Sequence, residues 1–188
     1  MKTKNPNFPY QNKRIIMIAV AVGFILLMLV LAMQFNDGMN WGLADFALAG
    51  ALLFGAGLAV ELVTRKSGIP TYRAALVLAL AAALFLVWIN LAVGIIGSED
   101  NPANMMYFGV LAIGIIGALI AKFQSNGMAR ALSAAALAQV FVTAIVLITV
   151  KDVPVLKTLM LNGGFVALWL GSAFLFLRAN ETLKRRHE

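Results

Sequence analysis

The chain has 188 residues, of which 62% are hydrophobic and only 12% charged, with a formal net charge of +7. Soluble domains carry about 25% charged residues, so a chain this apolar has to turn much of its surface to lipid. The absence of cysteine excludes disulfides, thiolate nucleophiles and thiolate metal sites, and the single His187, in a charged tail, leaves no histidine for a haem or an embedded metal.

Six apolar segments follow one another at about 15–33, 42–63, 74–97, 105–121, 131–150 and 159–177. Each is near the roughly 20 residues needed to cross a hydrocarbon core about 30 Å thick. With no water to satisfy the backbone, segments of this kind must be helices. Turn residues punctuate them: Asn36-Asp37-Gly38, Ser67-Gly68-Ile69-Pro70, Ser125-Asn126-Gly127 and Asp152-Val153-Pro154.

The first segment has the basic leader of a signal peptide, and Val30-Leu31-Ala32 resembles a weak cleavage site. Its apolar run is longer than the 7–15 residues of a signal core, so an uncleaved first helix is expected. The second segment opens on Trp41, an interface aromatic, and Asp45, a carboxylate suited to the positive end of the helix dipole. Small residues Ala47, Ala51, Gly55 and Ala59 recur along one face, as helices that touch closely in lipid require. At its far end Glu61 and Arg65 have the spacing of an i,i+4 pair.

The third segment carries Ala75, Ala79 and Ala83, then Trp88 as a packing residue and Asn90. A polar break follows with Glu99, Asp100, Asn101 and Asn104, in which Asn101-Pro102 reads as an N-cap with proline at the first helical position. Gly109, Gly114 and Gly117 make a seam on the fourth segment, extended by Ala118 and Ala121. The tetrapeptides Gly94-Ile95-Ile96-Gly97 and Gly114-Ile115-Ile116-Gly117 both read as packing glycines within apolar helices. The fifth segment holds Ser133, Gln139 near its middle and Thr143. The sixth holds Asn162, Ser172, the stripe Gly163, Ala167 and Gly171, and Trp169, too central for an interface belt. A faint parallel links 54–76 with 113–132, each a glycine-bearing helix, a basic turn and an Arg-Ala helix start; their shared alanine and leucine content accounts for much of it.

Orientation follows from the cations. With the N-terminus inside, Lys2, Lys4, Lys13, Arg14, Arg65, Lys66, Arg73, Lys122, Arg130, Arg178, Lys184, Arg185 and Arg186 are cytoplasmic, and only Lys151 and Lys157 are outside. Both termini are therefore expected in the cytoplasm. The same placement, at segment ends, argues for membrane anchoring and against nucleic acid. The tail Lys184-Arg185-Arg186 fits attraction to anionic headgroups.

Two groups of residues are candidates for function. Asp37, Asp45, Glu99, Asp100, Asn101 and Asn104 gather on the outer side as an acidic vestibule, either a solvated rim or a collector of cations. Their oxygens suit a hard ion, yet no calcium-loop spacing is present. Gln139, Thr143, Asn90 and Asn162 are neutral polar residues within apolar segments. They form either a polar path or hydrogen-bonding glue between helices. No nucleophile–base pair and no phosphate loop can be assembled, so no enzyme activity and no cofactor are expected.

The run from Trp88 to Tyr107, with Asn40-Trp41 and Tyr72-Arg73-Ala74-Ala75, resembles a group of small, uncharacterised bacterial multi-spanning inner-membrane proteins. The resemblance covers about Asn40 to Leu147. It implies a bacterial inner membrane and carries no activity or site residue with it. The expected architecture is all-α: a single polytopic domain with a basic segment over 1–14, a six-helix bundle over 15–177 and a basic tail over 178–188. The expected function is a small oligomeric permease or channel for an ion or solute. The alternative is a non-transporting accessory or scaffold subunit whose small-residue faces bind partner transmembrane helices; the partners expected beside the lipid bilayer are further copies of the chain in a homo-oligomer or another membrane protein.

Overall fold

A computed structural model of the chain describes residues 8–35, 41–66, 68–92, 94–97, 101–151 and 153–185. Its helices are α1 (Phe8–Gln34), α2 (Leu43–Lys66), α3 (Pro70–Ala92), α4 (Met106–Ile120), α5 (Ser125–Thr149) and α6 (Val155–Lys184), with a 3-10 turn over Pro102–Met105 leading into α4. No strand occurs among the described residues. Six helical spans are long and apolar enough to cross a membrane. They group into two compact units, α1 with α2 and α3 with α4, α5 and α6.

In the first unit α1 and α2 run antiparallel. Ile18 lies against Gly57 and Leu26 against Gly50, while Arg14 Nη1 sits 3.2 Å from Glu61 Oε1. A Cβ on Gly57 would fall 2.6 Å from Ile18 Cγ2, so the close approach requires glycine there. The expected stripe is not what α1 uses: Ala47, Ala51 and Gly55 are exposed, and Gly55 has open space beside it. Glu61 likewise has a partner the i,i+4 spacing does not name, Arg14 on the neighbouring helix; the Arg65 side chain lies outside the described residues. Asp45 caps as expected, its Oδ2 accepting the Gly42 N–H at 2.8 Å just before the helix.

In the second unit α6 is the central element, packed between α3 and α5, with α4 on the other side of α5 and only a thin seam between α3 and α4. Neighbours are antiparallel. Tyr72 meets Phe176 edge-on, the Ser172 hydroxyl donates to Ala75 O at 2.6 Å, and Phe85 meets Phe165 along α3 and α6. Gly117 lies against Ala131 and Gly114 against Ala135 along α4 and α5.

The break between α4 and α5 falls earlier than Ser125-Asn126-Gly127. Those residues already form the first turn of α5, and Gly127 packs so closely that a Cβ would lie 2.5 Å from Ala121 Cβ. The reversal is made by Lys122 and Phe123, both at positive φ (49° and 59°). Phe123 N–H returns to Ala118 O and Lys122 N–H to Leu119 O, the bonds of a Schellman end built without its usual glycine. The Tyr72 hydroxyl fixes this turn by donating to Phe123 O at 2.6 Å.

Candidate functional site

Most of the buried polar side chains of the four-helix unit lie toward one end. Reading each helix from the α4–α5 turn, Asn90, Tyr107, Gln139, Thr143, Thr158 and Asn162 all lie in the half nearer Asn104, and all are buried. Toward the α4–α5 turn the buried residues are mostly apolar, Ala75, Leu76, Ala79, Leu132 and Phe176 among them; Ser172 donates to Ala75 O, the Tyr72 hydroxyl donates to Phe123 O, and Trp169 Nε1 is buried with no partner among the described residues.

Gln139 and Asn162 form its centre. Gln139 Nε2 donates to Asn162 Oδ1 at 2.8 Å, and Asn162 Nδ2 donates to Thr158 O at 2.9 Å, one turn back on α6. Thr143 Oγ1 donates to Gln139 O at 2.7 Å on the same helix. Helix register explains the meeting: α5 and α6 are antiparallel, and both amides face the seam near the same depth. Tyr107, fully buried on α4, lies beside Asn162 without closing a hydrogen bond. Gln139 Oε1 and Tyr107 Oη are thus both buried with no partner among the described residues. Buried polar atoms are nearly always paired; besides these two, Asn90 Oδ1 and Trp169 Nε1 are buried without a partner among the described residues.

Asn90 belongs elsewhere. Its Nδ2 donates to Asn104 O at 3.1 Å, and its Oδ1 is unmatched. Asn104 was expected at an open outer rim, but it is buried and turned inward: its Oδ1 accepts the N–H groups of Ile95 at 3.1 Å and Ile96 at 2.9 Å. The tetrapeptide at 94–97 is accordingly not a helix packing element. Gly94 and Gly97 take φ of 72° and 68°, and Ile95 and Ile96 fold inward between them. Asn101 behaves as expected of an N-cap, its Oδ1 accepting Ala103 N–H at 3.0 Å ahead of Pro102, although the turn it caps is 3-10.

Of the other vestibule residues, Asp45 lies in the first unit as a helix cap, while Asp37, Glu99 and Asp100 lie outside the described residues. Among the described residues no group of three or more His, Cys, Asp or Glu side chains is placed to hold a metal ion.

Sequence reasoning passed over Tyr107 and Thr158. A usable signal existed for the first: Tyr107 is seven residues before Gly114, two turns along the face that α4 packs on α5. Thr158 enters through its backbone carbonyl, which no side-chain pattern reveals. Comparisons with protein-family models, with curated proteins and with solved structures find no match for this chain.

Proposed function

We propose that the protein is a small permease of the bacterial inner membrane, with both termini cytoplasmic, whose solute site is the Gln139–Asn162–Tyr107 cluster. The single observation that carries this reading is the unmatched pair of polar atoms, Gln139 Oε1 and Tyr107 Oη, buried beside the same Asn162. Groups that serve only as glue between helices gain most when every hydrogen bond is closed. No Asp, Glu, Lys or Arg is among the buried residues described, which favours a neutral solute over an ion. The gathering of most buried amides and hydroxyls in one half of the unit favours a carrier that opens to one side at a time over an open pore. The topology rests on the cations, thirteen on one side and two on the other.

Stopped-flow light scattering on proteoliposomes exposed to glycerol, urea and small polyols tests the reading, with ion flux measured in parallel. Gln139→Leu is expected to slow uptake of the transported solute about ten-fold, the effect of roughly 1.4 kcal/mol on a rate. Flux no faster than through protein-free vesicles for every solute and ion would overturn it. The second reading, an accessory subunit that holds partner helices, is favoured by the exposed Ala47–Ala51–Gly55 face of α2, which α1 leaves uncovered. It predicts co-purification with another membrane protein and no flux in isolation.

A further inference from the structure

Charge divides the two ends of the four-helix unit. Tyr72 donates to Phe123 O and meets Phe176, so the start of α3, the α4–α5 turn and the last turns of α6 share one end. Arg73, Lys122, Arg130, Arg178, Lys184 and Arg185 lie there, all exposed. Glu181 is the one acidic residue described in the unit, and Arg178 sits 3.5 Å from it. Arg130 differs from the rest in its surroundings. It lies in the second turn of α5, on the face that carries Leu137 and Phe141, seven and eleven positions on, and both of these are exposed. It therefore heads a line of side chains turned to lipid. Among the described residues it has no hydrogen bond and no ion pair. Helical side chains lean toward the N-terminus, which for Arg130 is the direction of the α4–α5 turn. Lys122 stands in that turn, next to Ala121, which touches Gly127 one turn before Arg130.

We infer that Arg130 and Lys122 hold the headgroup phosphate of an anionic phospholipid, whose acyl chain runs along α5 over Leu137 and Phe141. A guanidinium on a lipid-facing line needs an anion, and a phosphate matches its fork of donors with two oxygens at once. The apolar side chains beneath Arg130 suit an anion that brings its own hydrocarbon, whereas a soluble anion would leave them untouched. The excess of cations over the single described carboxylate disfavours the ammonium of a zwitterionic lipid and favours a headgroup with net negative charge. An acidic protein segment lying on the same line would expose its backbone to lipid. Neither Gln139 nor Asn162 enters this site, so it stands or falls apart from the permease reading.

The test is native mass spectrometry of the detergent-purified full chain, titrated with phosphatidylglycerol and with phosphatidylcholine of the same acyl chains. Phosphatidylglycerol is expected to bind about five-fold more tightly, the factor one basic residue at a membrane surface confers. Arg130→Gln is expected to lower phosphatidylglycerol affinity by about the same factor, and Arg130→Lys, which keeps the charge but not the fork, to lose less. Lys157→Gln removes one cation from the opposite end and is expected to change nothing. Size-exclusion chromatography checks that each variant keeps the parent's elution, as substitutions at exposed positions should. A phosphatidylglycerol carrying a diazirine in its acyl chain is expected to label residues 134–141 in the parent and not in Arg130→Gln. Equal affinity for the two lipids, or affinity unchanged by Arg130→Gln, would overturn the inference. So would equal losses in Arg130→Gln and Lys157→Gln, which would make net charge alone the cause. Displacement of the lipid by millimolar glycerol phosphate would show a water-facing anion site, and exclusion of the lipid by a co-purifying acidic protein would give the patch to that partner; either would overturn it too.

Discussion

The tetrapeptide Gly-Ile-Ile-Gly occurs twice, at 94–97 and at 114–117, and the two copies behave as opposites. In the first, both glycines are left-handed, the chain leaves α3, and Ile95 and Ile96 are buried at 5% and 0% exposure. In the second, the glycines are helical and lie against Ala135 and Ala131, while Ile115 and Ile116 are 61% and 56% exposed, as lipid-facing residues are. Composition cannot separate them; the surroundings do. The first copy has Asn104 to take up two backbone N–H groups that a helix would have satisfied internally, and the second has α5 close enough that only a hydrogen atom fits on its second glycine. In a bilayer a stretch may leave the helical state only where protein replaces the lost backbone bonds.

Removing that replacement should have the largest effect. Asn104→Ala strands the N–H groups of Ile95 and Ile96, each a loss of about 1–3 kcal/mol. We expect the thermal midpoint in detergent, followed by size-exclusion fluorescence, to drop further than for a substitution at Gly97, Gly114 or Gly117. A midpoint unchanged from the parent would show that the loop holds without Asn104.

The helical copy should break by crowding. Gly117→Leu places a Cβ 2.6 Å from Ala131 Cβ and 3.2 Å from its Cα, and backbone cannot swing aside as a side chain can. A loss of about 1–3 kcal/mol is expected, with Ala131→Gly restoring part of it in the double variant. An absence of rescue would remove this contact as the cause.

The smallest effects have opposite signs and sharpen the comparison most. Gly97→Ala forces a Cβ into φ +68° and is expected to destabilise by about 1–2 kcal/mol. Gly114→Ala would meet Ala135 Cβ at 3.8 Å, an ordinary contact, and is expected to be neutral or to stabilise by up to about 1 kcal/mol through helix propensity. Equal shifts in the same direction would mean that the two copies share a conformation.

Much of this architecture was legible because hydropathy is a local property. Six apolar runs predicted six spanning helices, and Asn101-Pro102 and Asp45 were readable as caps because a cap needs only its own next few residues. What the sequence left unread lies where a partner distant in sequence decides. Segment 74–97 ends as a helix at Ala92 because Asn104 reaches back to Ile95 and Ile96. Glu61 finds Arg14, 47 positions away, and the reversal before α5 is held by Tyr72 from α3. Gln139 and Asn162 were recognisable as polar groups in hydrocarbon, but their pairing with each other, and the place of Tyr107 beside them, depended on helix rotation and register.

The sequence by itself determined the solvent, the number of spans and the ends that carry cations, since transfer from water to lipid is set residue by residue along the chain. Only the tertiary structure decided which face of each helix meets another, and so brought Gln139 and Asn162 into contact across the α5–α6 seam. Lipid offers every apolar face nearly the same energy, leaving small-residue fit and hydrogen bonds between distant side chains to choose among them.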